Sequence, residues 1–211
     1  MIRLLLYAEA PTATEPVTRF GGLPLIPMDQ GFQWPACSTC RGAMQFLGQI
    51  ALEDNKSNRL VLMFMCQNDP GLCDEWDANL GGNCALVVTI DGARQLANSP
   101  EFGITARDTV HGARIKVVAS ANYEGAKQWW AEENHTNLGQ VLGMLGGEPS
   151  WLQEDETPTC NHCGSEMRFV AQLEQGTDRK TAMNFGGGCA YVFYCPCQQG
   201  NGSGKFLWQC G

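Results

Sequence analysis

The chain has 211 residues and a formal net charge of −8, with 44% hydrophobic and 17% charged residues. That is core material for one large domain or two small ones, and the acidic balance argues against a protein that grips a phosphate backbone, which normally shows a basic face. There are eleven cysteines; an odd number excludes complete internal disulfide pairing, and metal ligation accounts better for so many thiols.

Residues 2–8, Ile-Arg-Leu-Leu-Leu-Tyr-Ala, read as a short strand. The apolar run is too short for a secretory signal, and no run approaches the ~18 apolar residues of a membrane span, so a cytoplasmic protein without a membrane partner is expected. Residues 9–18, with Pro11 and Pro16, read as a surface loop. Arg19-Phe20-Gly21-Gly22-Leu23-Pro24 comes after it, a turn in which Gly supplies positive φ and Pro fixes the exit. Met144-Leu145-Gly146-Gly147-Glu148-Pro149 repeats it 125 positions later. Trp34 and Trp151 come next, and each is expected to pack beside the cysteine turn just after it in the chain.

Each of these turns is a C-x-x-C that runs into a strand. The first copy is Cys37-Ser38-Thr39-Cys40, leading to Met44, Phe46 and Gln49; the second is Cys160-Asn161-His162-Cys163, leading to Met167, Phe169 and Gln172. Every one of these pairs is offset by 123, which reads as an internal duplication with a metal knuckle in each half. Met44, Phe46, Gly48 and Ile50 share one face at period two, as do Met167, Phe169, Ala171 and Leu173, so both segments are strands. After polar loops at 53–58 and 174–180, the runs Leu60–Cys66 and Ala190–Cys195 read as buried strands, each ending on cysteine. Third strands are expected at 85–90 and 206–209. Between the halves, 91–143 should hold a strand at 114–119, a helix at 124–134, and a short helix capped by Thr136 or Asn137 and running to Leu145.

A tetrahedral zinc site needs four soft ligands, and each C-x-x-C supplies two. In the first half Cys66 and Cys73 are the simplest complement, giving C-x₂-C-x₂₅-C-x₆-C with the Asn68-Asp69-Pro70-Gly71 turn between them; Cys84 competes. In the second half the candidates are Cys189, Cys195, Cys197 and Cys210. Cys189 and Cys195 lie on one strand roughly 20 Å apart and cannot share an ion. With a hairpin loop at 198–205, Cys195 should face about residue 207, which sets Cys210 away from it. Cys195 and Cys197 remain, while His162 should point outward. Four thiolates with no His or carboxylate make a closed, structural site; a redox role or iron–sulfur ligation are the rivals. The acidic clusters Asp74, Glu75, Asp77 and Glu154, Asp155, Glu156 read as solvated loops. Gln49 and Gln172 recur in register and should satisfy backbone groups between strands or, as the alternative, line a groove. No phosphate loop, zinc-protease or nucleophile-elbow motif occurs, and the three His residues form no nucleophile–base set.

Gly-Gly-x-Pro, then C-x-x-C-x₃-M-x-F-x-x-Q, then an aromatic strand ending in cysteine, is similar to the YwqG-like family of bacterial proteins. It also resembles the eukaryotic programmed cell death protein 2 group. The likeness covers about 19–90 and 144–210. It implies a single domain over 1–211, built of a first repeat (19–90), a connecting segment (91–143) and a second repeat (144–211). The eukaryotic relatives act as chaperones of a ribosomal protein. Together with the residues this gives an expected α+β fold, internally duplicated, with β-rich halves of antiparallel strands each stapled by a four-cysteine zinc knuckle, and a few helices. The expected function is a non-enzymatic module with two structural Zn²⁺ ions that binds a basic protein, chaperone-like, and no nucleic acid. The alternatives are an immunity-type protein that neutralises a basic toxin and, from another class, a hydrolase with an unrecognised carboxylate site.

Overall fold

The computed structural model describes residues 1–28, 31–53, 58–176, 178–197 and 203–211. The chain forms strands β1 (Ile2–Ala8), β2 (Arg19–Phe20), β3 (Leu25–Pro27), β4 (Gln45–Ala51), β5 (Arg59–Met65), β6 (Asn83–Thr89), β7 (Arg94–Leu96) and β8 (His111–Val118). Helix α1 (Tyr123–Glu133) is next, then β9 (Val141–Leu145), β10 (Arg168–Glu174), β11 (Cys189–Cys195) and β12 (Ser203–Gln209). Ten of the strands make one antiparallel sheet in the order β12-β11-β10-β9-β1-β8-β2-β4-β5-β6; β3 and β7 pair separately. The sheet curls until its edges meet: a Cβ placed on Gly204 of β12 would lie 2.9 Å from the Ala85 carbonyl oxygen of β6. The result is a nearly closed, mostly β barrel, which corrects the α+β expectation. Among the described residues the helical content is α1 and a single 3-10 turn at Leu138–Gln140, and no helix is long and apolar enough to cross a membrane.

The short helix expected after Asn137 is the main local difference. The Asn137 side chain does accept a hydrogen bond, from the Gly139 N–H at 2.9 Å, but the chain then extends as β9. All five residues of β9 are buried between β1 and β10, so both faces are apolar and no alternation marks the strand. Gly143 (φ 143°) is what lets β9 approach: a Cβ there would stand 1.9 Å from the Gln172 carbonyl oxygen.

Covered faces explain the uninterrupted apolar runs. Val61, Met63 and Met65 of β5 point into the barrel with Ala190, Val192 and Phe206 from the other side. Leu60, Leu62 and Phe64 point outward into a second cluster with Cys37, Cys66 and Cys73. On β11, Tyr191, Phe193 and Cys195 point outward with Cys160 and Met167. Helix α1 covers the middle of the sheet. Its buried residues Tyr123, Ala126, Trp130 and Ala131 recur at helical spacing and pack on Leu4, Leu6 and Val118. The Asn122 side chain caps its N-terminus by accepting from Gly125 N–H at 2.8 Å.

Flanking β1 and β8, the two sides of the sheet carry the same contacts. Gln49 faces Arg19 in β2, and Gln172 faces Met144 in β9. A register shift falls at Leu47 in β4 and at Val170 in β10. Gly21 N–H donates to the Leu47 carbonyl and Gly146 N–H to the Val170 carbonyl, both at 2.8 Å.

Candidate metal centres

Each C-x-x-C turn sits in a small clasp that its own backbone closes. Cys37 N–H donates to the Gly42 carbonyl and Met44 N–H to the Pro35 carbonyl; in the second half, Cys160 N–H donates to Ser165 and Met167 N–H to Pro158. The tight bend needs one left-handed residue, filled by Arg41 (φ 64°) and Gly164 (φ 71°). Both knuckles lead directly into β4 and β10, so their sulfurs stand at the sheet end where β5 and β11 finish.

The structure gathers Cys37, Cys40, Cys66 and Cys73 into one group, with all four sulfurs within 4.8 Å of one another. Cys40 Sγ and Cys66 Sγ are 3.6 Å apart. Four ligands at about 2.3 Å from a tetrahedral ion are about 3.8 Å from one another, so the spacing fits a shared metal. Cys73 returns to the site because the buried Glu75 carboxylate accepts from Cys73 N–H at 3.2 Å and from Gly71 N–H, pinning the loop. Glu75 is 2% exposed, so it is a loop staple and not part of a solvated acidic run. Cys84 lies on β6 opposite Phe64, outside the group.

Cys160, Cys163, Cys195 and Cys197 form the second group, their four sulfurs likewise within 4.8 Å of one another. Here the Cys160–Cys197 and Cys163–Cys195 sulfurs are 3.8 Å and 3.6 Å apart. Cys195 pairs with Ser203 rather than a residue near 207, and Cys189 with Gln209. The β11–β12 connection is therefore shorter than the expected 198–205 loop, of which 198–202 lie outside the described residues. Cys210 comes directly after Gln209 and sits at the far end of β11 from Cys195. Cys189 is buried elsewhere, its thiol donating to Glu174 Oε2 at 3.7 Å. The exposed His162 stands outside the group.

Backbone dipoles favour thiolate at one sulfur of each set. The Gly42 N–H holds the Cys40 thiol down at about 7, and the His162 N–H holds Cys160 at about 6. Burial pushes Cys66 up, and Cys195 up to about 12. Four confined thiols cannot all ionise together without a cation between them, and such a cation is what the two sets can hold. Neither set contains a His or a carboxylate.

Two supporting residues give no signal in the sequence. Asn68, legible there only as part of a turn, donates from Nδ2 to Cys66 Sγ at 3.5 Å, to Cys40 Sγ at 3.6 Å and to the Ala43 carbonyl at 3.2 Å. Lys205 Nζ donates to Asn79 Oδ1 at 2.5 Å and to Asn161 Oδ1, inside the second knuckle, at 2.9 Å. Such outer contacts orient ligands. Trp34 and Trp151 pack within the clusters that contain their knuckles. Trp34 Nε1 donates to the Met44 carbonyl at 2.7 Å, and Trp151 lies 4.3 Å from the Tyr191 ring. Gln49 Oε1 accepts from Leu25 N–H and Gln172 Oε1 from Ser150 N–H; both side chains satisfy backbone.

No protein-family model matches the chain. A stretch of 62 residues, 29% of the chain, is 37% identical to a Salmonella typhimurium protein described as "Uncharacterized protein YpfL". The match spans 14% of that relative's length.

Proposed function

We propose that the chain is a YwqG-like, internally duplicated, non-enzymatic module, stapled by two structural zinc ions, that binds a basic polypeptide in a chaperone-like way. The observation that supports it best is the pair of four-thiol groups. A closed thiolate tetrahedron leaves no position for substrate or an activated water, so the ions stiffen the knuckles rather than perform chemistry. Soft thiolate ligands at tetrahedral spacing favour zinc over hard cations.

Charge supports the choice of partner. Zinc in four thiolates adds about −2 per site, taking the formal −8 to about −12. Fields of that size repel nucleic acid and speed encounter with basic proteins. The test is affinity capture at 0.1 M and 1 M salt, over which the Debye length falls from about 10 Å to about 3 Å. A basic protein held at low salt and released at high salt is expected; an acidic partner, or nanomolar RNA binding, would contradict the proposal.

A further inference from the structure

β8 is paired on one side only over most of its length. Against β1 it runs in unbroken register from Ile2↔Val118 to Ala8↔Gly112. On its other side β2 reaches only His111 and Gly112. Among the described residues no strand pairs with Ala113–Val117 on that side. Exposure agrees: Arg114, Ile115, Lys116 and Val117 are four successive exposed residues, with Ile115 and Val117 at 44% and 49%. β5, in the same sheet, is buried throughout. An unpaired edge of this kind offers a row of backbone N–H and C=O groups to an incoming strand.

A cavity of about 350 Å³ lies beside the edge. Ala113 and Ile115 line it from β8, together with the buried Leu5 and Leu145 and the exposed Glu9 and Glu15. Among the described residues Glu9 and Glu15 have no cationic partner, whereas Glu53, also lining the cavity, pairs with Arg3 at 2.6 Å. Register sorts the side chains of β8. Ala113 and Ile115 face Tyr7 and Leu5, on the barrel-interior side with the cavity. Arg114 and Lys116 face Leu6 and Leu4, whose side chains pack under α1 on the outer side.

We infer that the open edge of β8 takes an extended segment of a basic polypeptide as an added strand, its lysine or arginine side chains alternating into the Glu9–Glu15 cavity. The inference rests on the reading of the chain as a binder of basic polypeptides, and places that binding. Main-chain hydrogen bonds supply affinity and alternate side-chain positions supply selectivity. A second copy is a poor occupant. Antiparallel self-pairing centred on Ile115 sets Arg114 of each copy against Lys116 of the other, and like charges directly opposite are destabilising.

The experiment is hydrogen exchange on the full chain with an end-capped peptide of alternating lysine and threonine, using glutamate–threonine as control. Amides within 113–117 are expected to slow by about tenfold or more with the lysine peptide and not with the control. Glu9→Gln with Glu15→Gln should weaken the peptide about threefold to tenfold. Ile115→Lys or Val117→Lys, which sets a like charge against the peptide's lysines, should remove the protection. Protection confined to another segment, or a basic partner captured equally by wild type and Ile115→Lys, overturns the edge site and leaves the broader binding proposal standing. No lysine peptide bound anywhere, and no basic protein captured, overturns both.

Discussion

Cys40 Sγ and Cys66 Sγ lie 3.6 Å apart although the residues are 26 positions apart in sequence. A disulfide would need about 2.05 Å, so the two sulfurs are not a covalent pair; they stand at a spacing at which both could hold one ion. The same relation holds between Cys163 and Cys195 at 3.6 Å. Each pair joins a knuckle to the end of the neighbouring strand, so a bound ion ties β4 to β5 and β10 to β11 where the ladder ends.

Loss of one ligand should therefore be costly. Cys37→Ser and Cys160→Ser are each expected to destabilise the chain by more than about 4 kcal/mol, the range associated with losing a metal or an equivalent feature. For a chain of this size that lowers Tm by roughly 10 °C or more. Cys84→Ser and Cys210→Ser, outside both groups, should stay within about 1 kcal/mol. Thermal melts of the four variants in reducing buffer check this; equal Tm values in all four would remove the structural role from the clusters.

Acid should strip both sites. Protons compete with the ion for thiolates, and backbone N–H groups hold Cys160 and Cys40 below the ordinary thiol value. Both sites are full at alkaline pH and empty as pH falls. Metal release monitored with a chelating dye in Cys37→Ser, which keeps the second site, and in Cys160→Ser, which keeps the first, should show loss of the remaining ion on acidification in each. Metal retained in strong acid would mean that thiolates are not its ligands.

Much of the site is legible in the residues because ligand spacing and strand period are local signals. Cys66 and Cys195 stand out by ending apolar strands, and the Asn68–Gly71 turn points to Cys73. The fold class is not legible in the same way. β9 reads as a helix because Val141–Leu145, buried on both faces, shows no alternation, and a five-residue apolar run fits either state. Closure of the barrel at Gly204 and Ala85 is a contact between residues 119 positions apart, for which a single sequence has no periodic signal. Lys205 is silent for the same reason: its partners Asn79 and Asn161 come from opposite halves of the chain.

Two glycines at positive φ differ in crowding. At Gly164 (φ 71°) nothing lies within 4 Å of an added Cβ, so Gly164→Ala should cost only the left-handed penalty, about 1–2 kcal/mol, as Arg41 at φ 64° already tolerates. At Gly143 a Cβ would stand 1.9 Å from the Gln172 carbonyl oxygen. Gly143→Ala must push β9 from β10 and should cost more than about 3 kcal/mol. Denaturant unfolding of both variants compares them; equal losses would mean that β9 does not pack this closely on β10.

The central claim is that both four-thiol groups hold a zinc ion at once, and elemental analysis of freshly purified, reduced protein tests it most directly. Chelator-resistant zinc at two ions per chain is expected, falling to one in Cys37→Ser and to one in Cys160→Ser. Wild-type protein that contains one zinc ion per chain or none, and takes up no more when reduced and supplied with it, would contradict the account.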